Sequence, residues 1–300
     1  MPYILLCIAI TTISLSAQVR PSRTWHTDVA RTRSIKGVMP SLLGGGEIQR
    51  SSGSLGGEQA WQFRTHVQVE PYRLTDSTSA IQLTTSIEAH QELTANPLND
   101  ISFNPRAMRW EEFFWVHVGL PDVAMRAGFV HRCKHDIDNL GGADEDNPTS
   151  PLLAEQRTII LTGPTLAATT APVISAAGTT TIAAGAEFYL NASDNRTPRS
   201  SAASWNAMQG TSWMRMRHAY AVSRTLDLLA TAYLALPWFT SRTGSDDTLP
   251  YEARAELAIS AGGTKARMEL ALVAERQFDE IAFTTPQQTS FVGLCVRFMP

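Results

Sequence analysis

The chain has 300 residues, a net charge of −3, 18% charged residues and 43% hydrophobic residues. This balance excludes a chain that is disordered as a whole, and the lack of excess positive charge excludes a broad nucleic-acid-binding surface. With 3 cysteines, no disulfide framework or zinc ribbon is available. The length fits two average domains or one large all-β domain.

The N-terminus has the pattern of an export signal. Residues 4–16 are apolar or small, and Ser14-Leu15-Ser16-Ala17 forms a small-residue cleavage site of the A-x-A kind before Gln18. We therefore predict a signal peptide over 1–17, and the alternative is a buried N-terminal strand. The predicted mature chain, 18–300, retains Cys133 and Cys295.

Alternation of apolar and polar residues with a period of two recurs along the mature chain. Between 61 and 69, for example, Trp61, Phe63 and Val67 point one way while Arg64 and His66 point the other. In chain order the pattern predicts eleven strands, at about 60–72, 79–93, 108–119, 122–136, 155–169, 179–193, 210–223, 225–239, 251–262, 264–278 and 288–298. Each strand therefore has one apolar face and one polar face.

A soluble β-sandwich also alternates, but three features favour a transmembrane barrel. The segments are long enough to cross a bilayer at a tilt, the polar faces carry charges of both signs, and short and long links alternate as in outer-membrane barrels. The segment 288–298 resembles the C-terminal strand of such proteins, which typically ends in an aromatic residue, here Phe298.

Bacterial single-chain barrels have even strand numbers, so a twelfth strand is expected. Its predicted place is 36–50, a glycine-rich segment. The fold prediction is therefore all-β: an antiparallel up-and-down transmembrane barrel of about twelve strands over 18–300, with 18–35 as a periplasmic N-terminal segment.

Charged and histidine side chains on the polar faces are predicted to line the barrel interior as mutually paired charges that fill or wet the lumen. The alternative is a selective pore or solute site. The predicted lumen residues are Arg64, His66, Glu88, His90, Arg109, Glu111, His117, Arg215, Arg217, Arg254, Glu256, Arg267 and Glu269.

Six large aromatic residues lie near the ends of predicted strands or along them. Interfacial girdles of aromatic side chains, which are typical of membrane barrels, explain most of them. The six are Trp110, Phe113, Phe114, Trp115, Trp213 and Trp238.

The densest reactive cluster spans 131–138, where His131, Cys133 and His135 share the lipid-side face of a strand and Arg132 and Lys134 take the lumen face. Three interpretations remain open. His131 could activate Cys133 as a nucleophile, with an acid from the following loop. The three outward residues could bind zinc or copper. Finally, they could be a polar rim where the strand leaves the membrane.

The His-x-Cys step resembles the His-x-Ser step on a strand of the lipid A deacylases, outer-membrane barrels whose His and Ser lie on the lipid-facing rim. The resemblance implies catalytic roles for His131 and Cys133, with Glu145 in the place of the family's acid. Here Cys133 replaces the serine, and Lys134 and His135 stand where that family has Asn-Ala. The strand is also similar to that of bacterial outer-membrane barrels with a His-x-Ser-x-His pattern, which implies no particular activity.

These observations predict a porin-like outer-membrane barrel of a Gram-negative bacterium, with a structural or transport-related role and no defined reaction. Its expected partners are outer-membrane lipids, including lipopolysaccharide, and the barrel-assembly machinery; no nucleic acid and no cofactor are expected. A lipid-directed hydrolase and a secreted soluble β-sandwich that acts as a binding protein are the alternatives.

Overall fold

The structure is a computed structural model. It describes residues 37–53, 61–75, 82–96, 104–120, 122–136, 158–194, 207–240, 251–263, 266–277 and 289–299. The predicted signal peptide at 1–17, the segment 18–35 and Glu145 lie outside the described residues.

The described residues form a single antiparallel sheet. Its strands are β1 Gly37–Gly53, β2 Trp61–Thr75, β3 Gln82–Asn96, β4 Asn104–Gly119, β5 Val123–Asp136, β6 Thr158–Thr170, β7 Val173–Ser175, β8 Gly178–Phe188, β9 Asn191–Asp194, β10 Met208–Ala221, β11 Leu226–Phe239, β12 Glu252–Gly262, β13 Arg267–Gln277 and β14 Thr289–Met299.

The sheet closes into a barrel of 12 strands. Strand β7 continues β6 after a two-residue break, and β9 continues β8, so each of these pairs acts as one barrel strand. Closure comes from β14, which pairs with β1 from Gly46↔Phe298 to Gly53↔Phe291. The predicted barrel is confirmed, and the predicted twelfth strand is β1. Closure also excludes the two-sheet sandwich.

The two ends of the barrel differ in the length of their links. Links at one end cover 54–60, 97–103, 137–157, 195–207, 240–251 and 278–288, whereas those at the other cover 76–81, 120–122, 176–177, 222–225 and 263–266. Strand β1 begins and β14 ends at the short-link end. In outer-membrane barrels the short turns are periplasmic and the long loops extracellular.

Apolar side chains cover the outside of the barrel. Outward-facing Leu257 exposes 66% of its surface, whereas inward-facing Glu47 and Arg64 expose 2% and 1%. A soluble protein buries its apolar face, so this inversion identifies the outer surface as one that lies in lipid. A closed barrel pairs its backbone groups between its own strands, as a bilayer requires of a structure that spans it. The chain is therefore a transmembrane barrel.

Within the described ranges, no α-helix is long and apolar enough to cross a bilayer.

The girdle interpretation is wrong for three aromatic residues. Phe113, Trp115 and Trp213 are inward-facing and buried at 2%, 1% and 4% exposure. Trp115 pairs with Gly128 and Trp213 with Gly185 across neighbouring strands. A Cβ atom on Gly128 would lie 2.9 Å from Trp115 Cε3, and one on Gly185 would lie 2.4 Å from Trp213 Cζ2. The missing glycine side chains therefore provide the space in which the indoles pack inside the barrel.

Candidate functional site

The predicted lumen residues all belong to inward-facing positions of the strands. All of them are almost fully buried except His117, Arg217 and Arg267, which lie at intermediate exposure toward the short-link end. Alternation places these charges on one face, and the closure of the sheet brings distant strands within reach of one another.

Glu47 on β1 is the hub of the largest ion-pair network. Its carboxylate accepts hydrogen bonds from Arg64 on β2, from Arg297 Nε on β14 at 2.9 Å, and from Arg254 Nη2 on β12 at 3.4 Å. Three guanidinium groups from three strands therefore converge on one carboxylate. Arg64 and Arg297 lie on the two strands that pair with β1, whereas Arg254 reaches Glu47 from β12, which is separated from β1 by β13 and β14.

Further carboxylates complete the pairing of these arginines. Arg64 Nε donates to Glu92 at 2.6 Å, Arg254 Nη1 donates to Glu275 at 3.0 Å, and Arg297 Nη1 donates to Glu269 at 2.6 Å. Arg297 also reaches Glu256 at 3.1 Å, and Arg254 donates to the same residue. Opposite charges thus link strands β12, β13, β14, β1, β2 and β3 around a buried centre.

Four members of this network are not among the predicted lumen residues: Glu47, Glu92, Glu275 and Arg297. The sequence pattern could have identified three of them, because Glu92, Glu275 and Arg297 continue the polar alternation of β3, β13 and β14. Glu47 lies in a glycine-rich segment whose alternation is weak, so only the pairing of β1 with both neighbours identifies its direction.

A second network lies across the lumen on β4, β5 and β8. Arg132 Nε donates to Glu111 at 2.7 Å, its Nη1 donates to Tyr189 Oη at 2.7 Å, and its Nη2 donates to Glu187 at 3.1 Å. The Tyr189 hydroxyl donates in turn to Glu187 at 2.5 Å. The guanidinium of Arg132 is therefore paired on every side, as a buried cation requires.

A row of rings lies beside this network on the inner wall of the barrel. His66 stacks on His90 at 5.9 Å between centroids, His90 meets Phe113 edge-on at 5.7 Å, and Phe113 stacks on Trp115 at 5.5 Å. The Arg126 guanidinium lies 4.1 Å from the Trp115 ring centroid, a cation–π geometry.

Apolar side chains complete this wall. Phe113, Trp115 and Tyr189 belong to a buried cluster with Val130, Ile159, Leu161 and Met208. The lumen on this side is filled by rings and aliphatic groups as well as by charges.

The outward cluster lies where the apolar belt of β5 ends. Toward the short-link end of β5, Met125 and Phe129 face lipid. The next outward residues, His131, Cys133 and His135, are half-buried. A hydrogen bond of 2.9 Å joins His131 Nδ1 to Thr162 Oγ1, and one of 3.3 Å joins His135 Nδ1 to Thr158 Oγ1.

The neighbouring strand β4 extends this polar level. Glu112 is the cross-strand partner of His131, and Trp110 Nε1 donates to Glu112 at 2.9 Å. The outer rim of β4–β6 is therefore polar and hydrogen-bonded along the strands.

In the part of the chain that the structure describes, His131 is hydrogen-bonded to Thr162 and no hydrogen bond joins it to Cys133. Side chains two residues apart on a strand are about 7 Å apart, so a direct transfer of the Cys133 proton to His131 requires rearrangement. Among the described residues, no group of three His, Cys, Asp or Glu side chains is placed to hold a metal ion. Cys133 and Cys295, on β5 and β14, are both free thiols.

No protein-family model matches the sequence, and no curated protein matches it. Among solved structures, the transport unit of the autotransporter AIDA-I from Escherichia coli is similar over 87% of this chain and 90% of that one, with a TM-score of 0.40 and 12% identity.

The NanC porin is similar over 85% of this chain and 98% of its own, with a TM-score of 0.42 and 9% identity. LpxR from Salmonella typhimurium is similar over 86% and 99%, with a TM-score of 0.40 and 11% identity. Similarity at these identities is limited to the overall fold.

Proposed function

We propose that the chain is a structural barrel of the bacterial outer membrane whose lumen is closed by paired side chains, and not a wide diffusion pore. The observation that carries this proposal is the Glu47 hub, where Arg64, Arg254 and Arg297 converge on one buried, inward-facing carboxylate. In the same proposal residues 1–17 are a signal peptide, and Phe298 at the end of β14 presents the terminal aromatic residue to the barrel-assembly machinery.

The accessibility of the inner wall supports closure. A water-filled channel leaves inward charges in contact with solvent, yet Glu47, Arg254 and Arg297 expose only 2–3% of their surface. Small barrels of about eight strands are filled by side chains, and those of about sixteen carry an aqueous channel. At twelve strands the outcome depends on side-chain length, and arginine and glutamate are long enough to bridge strands that do not pair with each other, as Arg254 and Glu47 do.

Location and conductance test the two parts of the proposal separately. Fractionation with outer membranes, a heat-modifiable shift in gel mobility and a mature N-terminus at Gln18 are expected. Recovery as a soluble periplasmic protein would contradict the membrane assignment.

In planar bilayers the native chain should give no large, steady channel steps. A variant with Glu47, Arg64, Arg254 and Arg297 all replaced by alanine should conduct, and Arg50→Ala, which removes an outward-facing arginine, is the matched control. Large steady channels from the native chain would contradict a closed lumen.

A second candidate is a lipid-directed hydrolase at the outer leaflet, and one observation favours it. His131 and Cys133 face lipid at the level where the apolar belt of β5 ends, which is where an acyl ester of an outer-leaflet lipid lies. Overexpression of the native chain should then change lipid A acylation, and Cys133→Ala or His131→Ala should abolish that change. Unaltered lipid A on overexpression of the native chain would remove this candidate.

A further inference from the structure

A hollow of about 390 Å³ lies on the outer surface of β10–β13, within the size range of small-molecule sites. It is lined by Met216, Ala230, Thr231, Ala232, Ala255, Glu256, Leu257, Leu272 and Ala274. Apart from Thr231 and Glu256, whose side chains point inward, these are outward-facing apolar residues.

The hollow follows from side-chain size in one cross-strand row. Ala232 pairs with Ala255, and Ala255 pairs with Ala274, so three methyl groups lie side by side on β11, β12 and β13. The next row toward the short-link end holds the neighbours Leu257 and Leu272, which are 66% and 59% exposed. The leucines form a ridge and the alanines form the floor behind it.

A cation lies at the opposite border of the floor, toward the long links. Arg276 is the next outward residue after Ala274 on β13, about 7 Å along the strand, and it pairs with Ala253 on β12. Its guanidinium lies 4.6 Å from the ring centroid of Tyr251. The ring holds the charge at the edge of the apolar belt, where lipid headgroups begin.

We infer that this hollow binds an acylated, phosphate-bearing glycolipid of the outer leaflet, with one acyl chain over the alanine floor and a phosphate against Arg276. The inference rests on the proposed outer-membrane location, which turns the long-link end toward the outer leaflet. The succession from cation to apolar hollow along the strand matches the succession from phosphate to acyl chain in such a lipid.

Charge distinguishes this occupant from a second copy of the chain. The outer belt of another barrel presents mainly apolar side chains, as Leu234 and Leu294 illustrate, and its outward-facing Glu112 carboxylate accepts a hydrogen bond from Trp110 Nε1. A phosphate is negatively charged and accepts several hydrogen bonds from a guanidinium.

Native mass spectrometry of the full chain, refolded in a neutral detergent and titrated with lipid A, tests the inference. One lipid A should remain bound, and dephosphorylated lipid A should bind more weakly. Arg276→Gln should weaken lipid A binding about tenfold, because one charge-assisted contact is lost, and should abolish the preference for phosphate. Ala255→Phe should fill the hollow above the alanine floor and weaken the binding of both lipid A and dephosphorylated lipid A.

Two variants serve as matched controls. Arg50→Gln removes another outward arginine, which lies over the Trp61 ring at 5.2 Å, and Ala127→Phe enlarges an exposed alanine on β5. Both should retain native binding. Equal losses of lipid A binding in Ala127→Phe and Ala255→Phe would overturn the inference. An unchanged preference for phosphate in Arg276→Gln would also overturn it. A third contradicting outcome is a dimer that Ala255→Phe disrupts while lipid A binding persists.

Gel mobility and fractionation of the same variants report on the fold and on the outer-membrane location. Loss of lipid binding in a protein that still fractionates with the outer membrane contradicts only the lipid site. A chain that does not reach the outer membrane contradicts the proposed function instead.

Discussion

The two sides of the lumen are closed by different chemistry. On β12–β14 and β1–β3, interlocked ion pairs around Glu47 fill the interior. On β4–β8, a cluster that includes Phe113, Trp115 and Tyr189 fills much of the same space with rings and aliphatic groups.

The difference predicts how each side responds to substitution. A buried ion-pair network depends on the balance of charge, because removal of one member leaves its partners charged and unsolvated. A packed cluster depends on volume, because it tolerates neither cavities nor added atoms. Changes of charge should therefore be most damaging on the first side, and changes of volume on the second.

Glu47→Ala should be the most destabilising single change. It leaves Arg64, Arg254 and Arg297 close together without their shared carboxylate. Removal of one partner from a buried ion pair costs about 3–5 kcal/mol. Urea unfolding in lipid vesicles, followed by tryptophan fluorescence, measures the loss.

The exposed carboxylate of Glu112 provides the control for this prediction. Glu112→Ala removes a glutamate from the outer rim and should change the free energy of unfolding by less than about 1 kcal/mol. Equal losses from the two substitutions would contradict a central role for Glu47.

Arg254→Lys preserves the charge and tests the geometry of the same network. Arg254 donates to Gln49 at 3.0 Å and to Glu275 at 3.0 Å, and it also contacts Glu47 and Glu256. An ammonium group cannot reproduce this planar arrangement of donors, and hydrogen bonds to charged groups contribute about 1.5–3 kcal/mol. A loss of that size is expected in the same unfolding assay, whereas native stability would show that only charge matters.

Gly128→Ala tests the packed side by adding one methyl group. The new Cβ would lie 2.0 Å from the carbonyl oxygen of Phe114 and 2.9 Å from Trp115 Cε3, so the strands must move apart. Overpacking of this kind costs about 1–3 kcal/mol. Gly263→Ala is the matched control, because a Cβ atom there meets nothing within 4 Å, and its stability should be close to native.

The barrel itself could be predicted from sequence because alternation is a local property that each strand carries independently. The polar residues of β2, for example, include Arg64 and His66, and both are inside the barrel. The pairing of these charges could not be predicted, since it depends on closure: Glu47 and Arg297 are 250 residues apart in the chain.

The aromatic residues show a second limit of the sequence pattern. Interfacial girdles are the usual place of tryptophan in membrane barrels and are expected to explain most of the six aromatic residues, but they do not explain Trp115 and Trp213. Their inward direction follows from strand parity, but the space for an indole inside the barrel is provided by Gly128 and Gly185 on other strands. Only the cross-strand register shows that each tryptophan faces a glycine.

The outer rim should be the region least sensitive to substitution, and Thr162→Val tests this. The change removes the hydroxyl that is hydrogen-bonded to His131 Nδ1 at 2.9 Å and keeps the shape of the side chain. Because both groups lie at the surface, where water replaces the lost partner, the cost should be about 0.5–1 kcal/mol. A loss as large as that of Glu47→Ala would show that the rim, and not the lumen, holds the barrel together.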